Sequence, residues 1–281
     1  MGSVKKKSML ITMGDSFTEG IGCYNYEAVG LPSDYYKPIT FDLYSASISE
    51  FHTKGWPPLL QNILGYDILL NMGLGGSSNS GSMKIFIDKI YNLNILEEYD
   101  VTLIWMFTHP YRYSLYHNGN VLNMSPAADY RDSPRLDNLK KAYIEFFDDL
   151  EGDTSLETVF LIKTLSILCK GKCNFLTGTF FHSENIENIF PHLMNSDFFI
   201  HNHIGEIKPV CSDCGKFYCT DHPGRVSAHC GHPNHLGYKM IAEKLADVIK
   251  KNFNEFIPAK NSIIENRISI YCGRPDQKIS L

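Results

Sequence analysis

The stretch that decides the fold is MLITMGDSFTEG, residues 9–20. Its first five residues form a short apolar run closed by Gly14, and they read as a buried strand. The glycine, aspartate and serine that follow break the strand and open a turn toward a helix. Ser16 then stands just beyond a strand's carboxyl end, where a hydroxyl can be exposed with backbone N–H groups close by.

Working outward, the same alternation recurs. Residues 56–63 (WPPLLQNI) carry prolines at a helix start and apolar residues at helical spacing. Residues 66–71 (YDILLN) read as a second strand that runs into the glycine-rich stretch 73–81. An amphipathic helix is expected over 82–93 and a third buried strand over 101–107 (VTLIWMF). Helices are expected over 139–150 and 155–169, a fourth strand over 174–181, and a long amphipathic helix over 237–253. Residues 258–281 read as a tail with one strand-like run, 267–271.

Strands alternating with helices imply a parallel sheet covered on both faces. Function then collects at the carboxyl ends of the strands. Segments 14–20, 73–81 and 108–112 all follow strands and are expected to converge on one edge. Two stretches break the pattern. Residues 110–136 are rich in Tyr, Asn, Ser and Pro and read as a long lid loop. Residues 204–231 read as a Cys/His-rich insertion within a single domain spanning 1–281.

Composition sets the class. The 281 residues are 43% hydrophobic and 20% charged, enough for one full core. With 31 acidic against 26 basic residues the net charge is -5, which argues against a nucleic-acid partner. No run nears the roughly 20 apolar residues of a membrane span, and no leader is apparent, so a cytoplasmic setting without a membrane partner is expected.

A second constellation is HPNHLGY, residues 232–238, just ahead of the last amphipathic helix. A histidine at a helix entrance suits a general base, able to take a serine proton near neutral pH. Taken together, GDSFTEG, NMGLGG (residues 71–76) and HPNHLGY resemble the first, second and last sequence blocks of the SGNH (GDSL-type) hydrolases. The resemblance implies a three-layer α/β/α, flavodoxin-like fold and hydrolysis of a small acyl ester, of acetyl type. It implies Ser16 as nucleophile, His232 as base, and the Ser16 and Gly76 backbone N–H groups as oxyanion donors. Asp15, beside the nucleophile, is counted with the catalytic set.

The pattern departs from the family at two places. Where those enzymes carry an asparagine after the third strand, this chain has Thr108-His109. His109 would then donate to the oxyanion, the alternative being a capping or packing role. Thr108 and Arg112 are read as substrate contacts, Arg112 for an anionic group. Where the family places the triad aspartate, three residues before the base, this chain has His229. That leaves three arrangements open: a carboxylate such as Asp221 folding back, a Ser–His dyad, or a degenerate site. The last would make the chain a binding protein on an SGNH scaffold.

Cys211-Ser212-Asp213-Cys214 is a CxxC pair, with Cys219, His222, His229 and Cys230 following. Such spacing suits a structural zinc held by Cys211, Cys214, Cys219 and Cys230 or a nearby histidine. It would brace the loop carrying His232. No cofactor is expected for the chemistry itself.

Overall fold

The computed structural model describes residues 6–25, 27–30, 41–117, 120–124, 134–147, 151–180, 232–252 and 268–271. The Cys/His-rich insertion, with Cys211, Cys214, Cys219, Cys230, Asp221 and His229, lies outside these described residues.

Five strands form one parallel sheet: β1 (Ser8–Gly14), β2 (Ile68–Gly73), β3 (Asp100–Phe107), β6 (Asn174–Thr179) and β7 (Ile268–Tyr271). Their spatial order is β6-β3-β1-β2-β7. The first strand is therefore central, with its two neighbours in sequence on opposite sides. Successive crossovers leave β1 in opposite directions, which opens a crevice at its carboxyl end. The register sets Gly14 beside Gly73 and Met13 beside Trp105, so the turns after β1, β2 and β3 begin at one level.

Both faces of the sheet are covered, as the continuous apolar strands require. Met9, Ile11 and Met13 point into one core with Met83, Phe86, Ile90, Val159, Ile162 and Leu165. Those residues come from α5 (Asn79–Phe86), the π-helical turn that continues it (Ile87–Tyr91), and α8 (Glu151–Cys169). Leu10, Leu69 and Ile104 point into the opposite core with Phe51, Trp56, Leu60, Tyr238, Ile241 and Leu245. These belong to α3 (Ile48–Lys54), α4 (Trp56–Leu64) and α9 (His235–Asn252). The arrangement is the expected three-layer α/β/α sandwich.

Three local expectations change. Residues 110–136 are not a plain loop: β4 (Tyr113–His117) and β5 (Asn120–Met124) pair antiparallel. Helix α7 (Pro134–Phe147) begins within the same stretch. The alternation Tyr113-Ser114-Leu115-Tyr116 suits a half-buried strand, and Ser114 is indeed buried. The strand-like run expected within the tail is a strand over 268–271, and it joins the main sheet, where Ile270 lies beside Leu70. Finally, α2 (Phe41–Ala46) and α3 occupy a stretch the sequence reading leaves unassigned. Helix α6 (Ile95–Glu98) is a single turn leading into β3.

Candidate active site

Asp15 caps the four-residue helix α1 (Ser16–Glu19): its Oδ1 accepts from the Phe17 N–H at 3.1 Å. This fixes Ser16 as the first helical residue, immediately beyond β1. The Gly20 and Ile21 N–H groups donate back to the Ser16 carbonyl at 3.1 and 3.0 Å, which closes the turn.

His232 reaches this turn from across 216 residues of sequence, and its Nε2 lies 2.7 Å from Ser16 Oγ. That is a full hydrogen bond between a hydroxyl and an imidazole. Asn234 caps α9 by accepting the Gly237 N–H at 3.1 Å, so the helix entrance fixes the segment that carries His232. The His232 ring rests against Phe17 with centroids 4.8 Å apart, and Phe17 stacks on Phe180 at 5.3 Å. Tyr238 is wholly buried, and its hydroxyl donates to the Ile21 carbonyl at 2.7 Å.

The segment after β2 supplies the second wall. Asn71 is buried and structural: its Nδ2 donates to the Thr18 carbonyl at 2.9 Å. Its Oδ1 accepts from Thr12 Oγ1 and the Gly73 N–H, at 3.0 and 2.9 Å. Glu19 Oε2 accepts the Gly75 N–H at 2.6 Å, tying this loop to the nucleophile turn. A β-carbon built on Gly75 would stand 3.8 Å from Ser16 Cβ. Gly76 follows with φ of 77° and open space beside it. The Gly75 N–H is thus committed to a carboxylate, while Gly76 is the next amide in a loop that lies against Ser16.

The segment after β3 supplies the third wall. Thr108 Oγ1 and Arg112 Nη1 both donate to Asp15 Oδ2, at 2.9 and 2.8 Å. The sequence suggests both residues as substrate contacts, and the structure places these atoms on the aspartate beside the nucleophile. Asp15 is 1% exposed, so it enters the site as a cap and ion-pair partner held inside the protein. The backbone of Thr108 is held in turn by Asn79. Thr108 N–H donates to Asn79 Oδ1 at 2.8 Å, and Asn79 Nδ2 donates to the Thr108 carbonyl at 3.0 Å.

His109 takes a turn-organising position. Its Nδ1 accepts the Tyr111 N–H at 3.5 Å, and its ring packs on Tyr111 with centroids 4.3 Å apart. A neutral ring accepting at Nδ1 carries its proton on Nε2, the atom that would donate to an oxyanion.

The three turns expected to converge on one edge do so through these bonds. Glu19, Asn79 and Tyr238 belong to the same network; Tyr238 stands where the last family block ends in histidine, whereas Glu19 and Asn79 are not singled out by the sequence. Glu19 lies inside the GDSFTEG block, and Asn79 inside the glycine–serine stretch, but neither spacing announces a partner. Among the described residues, no group of three or more His, Cys, Asp or Glu side chains is placed to hold a metal ion. No described helix is long and apolar enough to cross a membrane.

No protein-family model and no curated protein matches the chain. Among solved structures it is similar to a G-D-S-L family protein from Desulfitobacterium hafniense DCB-2. That similarity has 12% identity and a TM-score of 0.46, covering 85% of this chain and 98% of the other. It is also similar to an acetyl xylan esterase from Butyrivibrio proteoclasticus, at 10% identity and a TM-score of 0.46 over 90% of this chain and 66% of that one. A family two carbohydrate esterase from Clostridium thermocellum gives 11% identity and a TM-score of 0.45, over 90% and 67%.

Proposed function

We propose that the chain is an SGNH-type serine hydrolase that cleaves a small acyl ester, of acetyl type. The observation that carries this reading is the 2.7 Å bond between Ser16 Oγ and His232 Nε2 at the carboxyl end of the central strand. In this reading His232 takes the hydroxyl proton as Ser16 attacks the acyl carbon. His232 then returns the proton to the leaving alcohol. Water, deprotonated by the same imidazole, attacks the acyl-enzyme, releases the acid and restores Ser16.

The developing oxyanion would be met by the Ser16 and Gly76 N–H groups, with His109 Nε2–H as the side-chain donor. The Gly75 amide is committed to Glu19, which in this reading leaves the next amide of that loop, Gly76, to meet the oxyanion. Asp221, the carboxylate the sequence offers as a third member of the triad, lies outside the described residues. A structural zinc on Cys211, Cys214, Cys219 and Cys230 is proposed with it, and metal analysis of protein purified without chelator tests that point. Substoichiometric metal would count against it.

The decisive test of the hydrolase reading uses wild type, Ser16→Ala and His232→Ala. They are assayed with p-nitrophenyl acetate and with a fluorophosphonate probe. The expected result is covalent labelling of the wild type at Ser16 and loss of at least about 10³-fold in kcat in both variants. Full activity in Ser16→Ala, or a wild type that fails to label, would sink the reading in favour of a binding protein on this fold.

A further inference from the structure

The seven residues 16–22 do two tasks: they present the hydroxyl, and they form the surface on which the base is seated. Resting on the hydrolase reading, we infer that Gly22 and Tyr238 are positioning residues that set the distance between Ser16 and His232.

Gly22 lies at φ of 119°, a region that side chains other than glycine's disfavour. A β-carbon there would come within 2.2 Å of the Pro233 carbonyl oxygen and 3.0 Å of His232 Cβ. Neither contact involves the flexible end of a side chain. The backbone of the base's own segment is therefore packed against the bare α-carbon of Gly22. Any added atom displaces residues 232 and 233 outward.

Tyr238 holds the same seam from the other side. Its hydroxyl donates to the carbonyl of Ile21, the residue before Gly22, at 2.7 Å. Its own N–H donates to the Asn234 carbonyl at 2.9 Å, within the first turn of α9. The Ile21 N–H meanwhile donates to the carbonyl of Ser16. One continuous path thus runs from the nucleophile through Ile21 and Tyr238 to the helix entrance behind His232. Phe17 closes it by packing on the imidazole face. A hydroxyl–imidazole bond tolerates little displacement, and a shift on the order of 1 Å in a catalytic pair costs about 10²-fold in rate.

The chain contains a matched control. Gly171, in the turn before β6, has φ of 73° but nothing within 4 Å of a built β-carbon. Gly171→Ala carries positive-φ strain, milder than at Gly22, with no contact to the site.

The experiment compares full-length wild type, Gly22→Ala, Gly171→Ala and Tyr238→Phe. It follows p-nitrophenyl acetate turnover, fluorophosphonate labelling across pH, and thermal unfolding. For Gly22→Ala the expected result is a drop of about 100-fold in kcat with KM nearly unchanged. Labelling should slow in parallel, and its pH dependence should differ from that of wild type. Gly171→Ala should turn over and label like wild type. Tyr238→Phe should lose about tenfold in kcat, as one buried hydroxyl bond is removed without a clash.

A folded Gly22→Ala with wild-type kcat and wild-type pH dependence overturns the inference. Gly171→Ala falling as far as Gly22→Ala overturns it too, since strain alone would then account for the loss. If Gly22→Ala does not fold, Tyr238→Phe decides, and an unaltered kcat there overturns the inference. These failures differ from failure of the hydrolase reading. That reading falls when Ser16→Ala stays active, whereas an inactive Ser16→Ala beside a fully active Gly22→Ala removes the positioning role alone.

Discussion

Arg112 and Asp15, 97 residues apart in sequence, form a half-buried ion pair beside the nucleophile, with Nη1 to Oδ2 at 2.8 Å. The aspartate side chain is 2% exposed and the arginine 19%. Removing the guanidinium leaves a buried carboxylate with only the Thr108 hydroxyl and the Phe17 amide. We expect Arg112→Ala to lower unfolding free energy by roughly 2–3 kcal/mol in urea titration. Activity should fall alike on neutral and anionic esters. A variant of unchanged stability whose KM rises for anionic esters alone would instead assign Arg112 to substrate, as the sequence suggested.

That pair shows where sequence reading stops. The strands β1, β2, β3 and β6 are legible because each is an apolar run bounded by turn residues, and α9 because its apolar positions recur every three to four residues. Asp15 looks the same in sequence whether it faces substrate or folds inward, since its partner comes from another strand's end. The run at 268–271 reads as strand-like, but four residues do not say which edge they join until β2 presents one to them. The antiparallel pair of β4 and β5 is hidden by polar residues, and one buried anchor is Ser114, whose Oγ lies 2.5 Å from Ser78 Oγ. Ser16 and His232 were legible because their neighbours form short dense blocks. Gly22 was not, because its constraint is a close approach by a segment over 200 residues away.

Asn79 is the strut behind Thr108. Its side chain satisfies both the N–H and the carbonyl of that residue and also donates to Thr158 Oγ1 at 3.1 Å. Asn79→Ala would leave two buried backbone groups of the turn unpaired. The expected cost is about 2–4 kcal/mol in urea titration, with kcat reduced because Thr108 also holds Asp15. A loss under about 1 kcal/mol, or kcat untouched, would show that the turn is held by other contacts.

His52 on α3 gives a pH signature. Burial holds its imidazole below the ordinary value of 6.5. The folded chain therefore binds a proton less readily than the unfolded chain. Stability from this group rises with pH through the window, and it declines as pH falls below 6.5. Urea midpoints measured from about pH 7 down to about pH 5.5 should fall more steeply for wild type than for His52→Gln. Parallel slopes for the two proteins would remove His52 as the source.

Glu19 carries the last prediction, because it links the nucleophile turn to the glycine loop. Its Oε2 accepts the Gly75 N–H at 2.6 Å and its Oε1 the Tyr44 hydroxyl at 3.2 Å. Glu19→Ala releases the Gly75 amide and with it the hold on Gly76, the proposed oxyanion donor. Loss of one such donor costs about 10²–10³ in kcat, and a donor merely loosened costs less, so about a tenfold drop is expected. Glu19→Gln retains an amide oxygen able to accept the same N–H, and it should keep most of the activity. The comparison separates geometry from charge. Equal losses in both variants would mean that the carboxylate's charge, rather than the tether, matters at this site. Full activity in Glu19→Ala would show that the loop keeps its place without it.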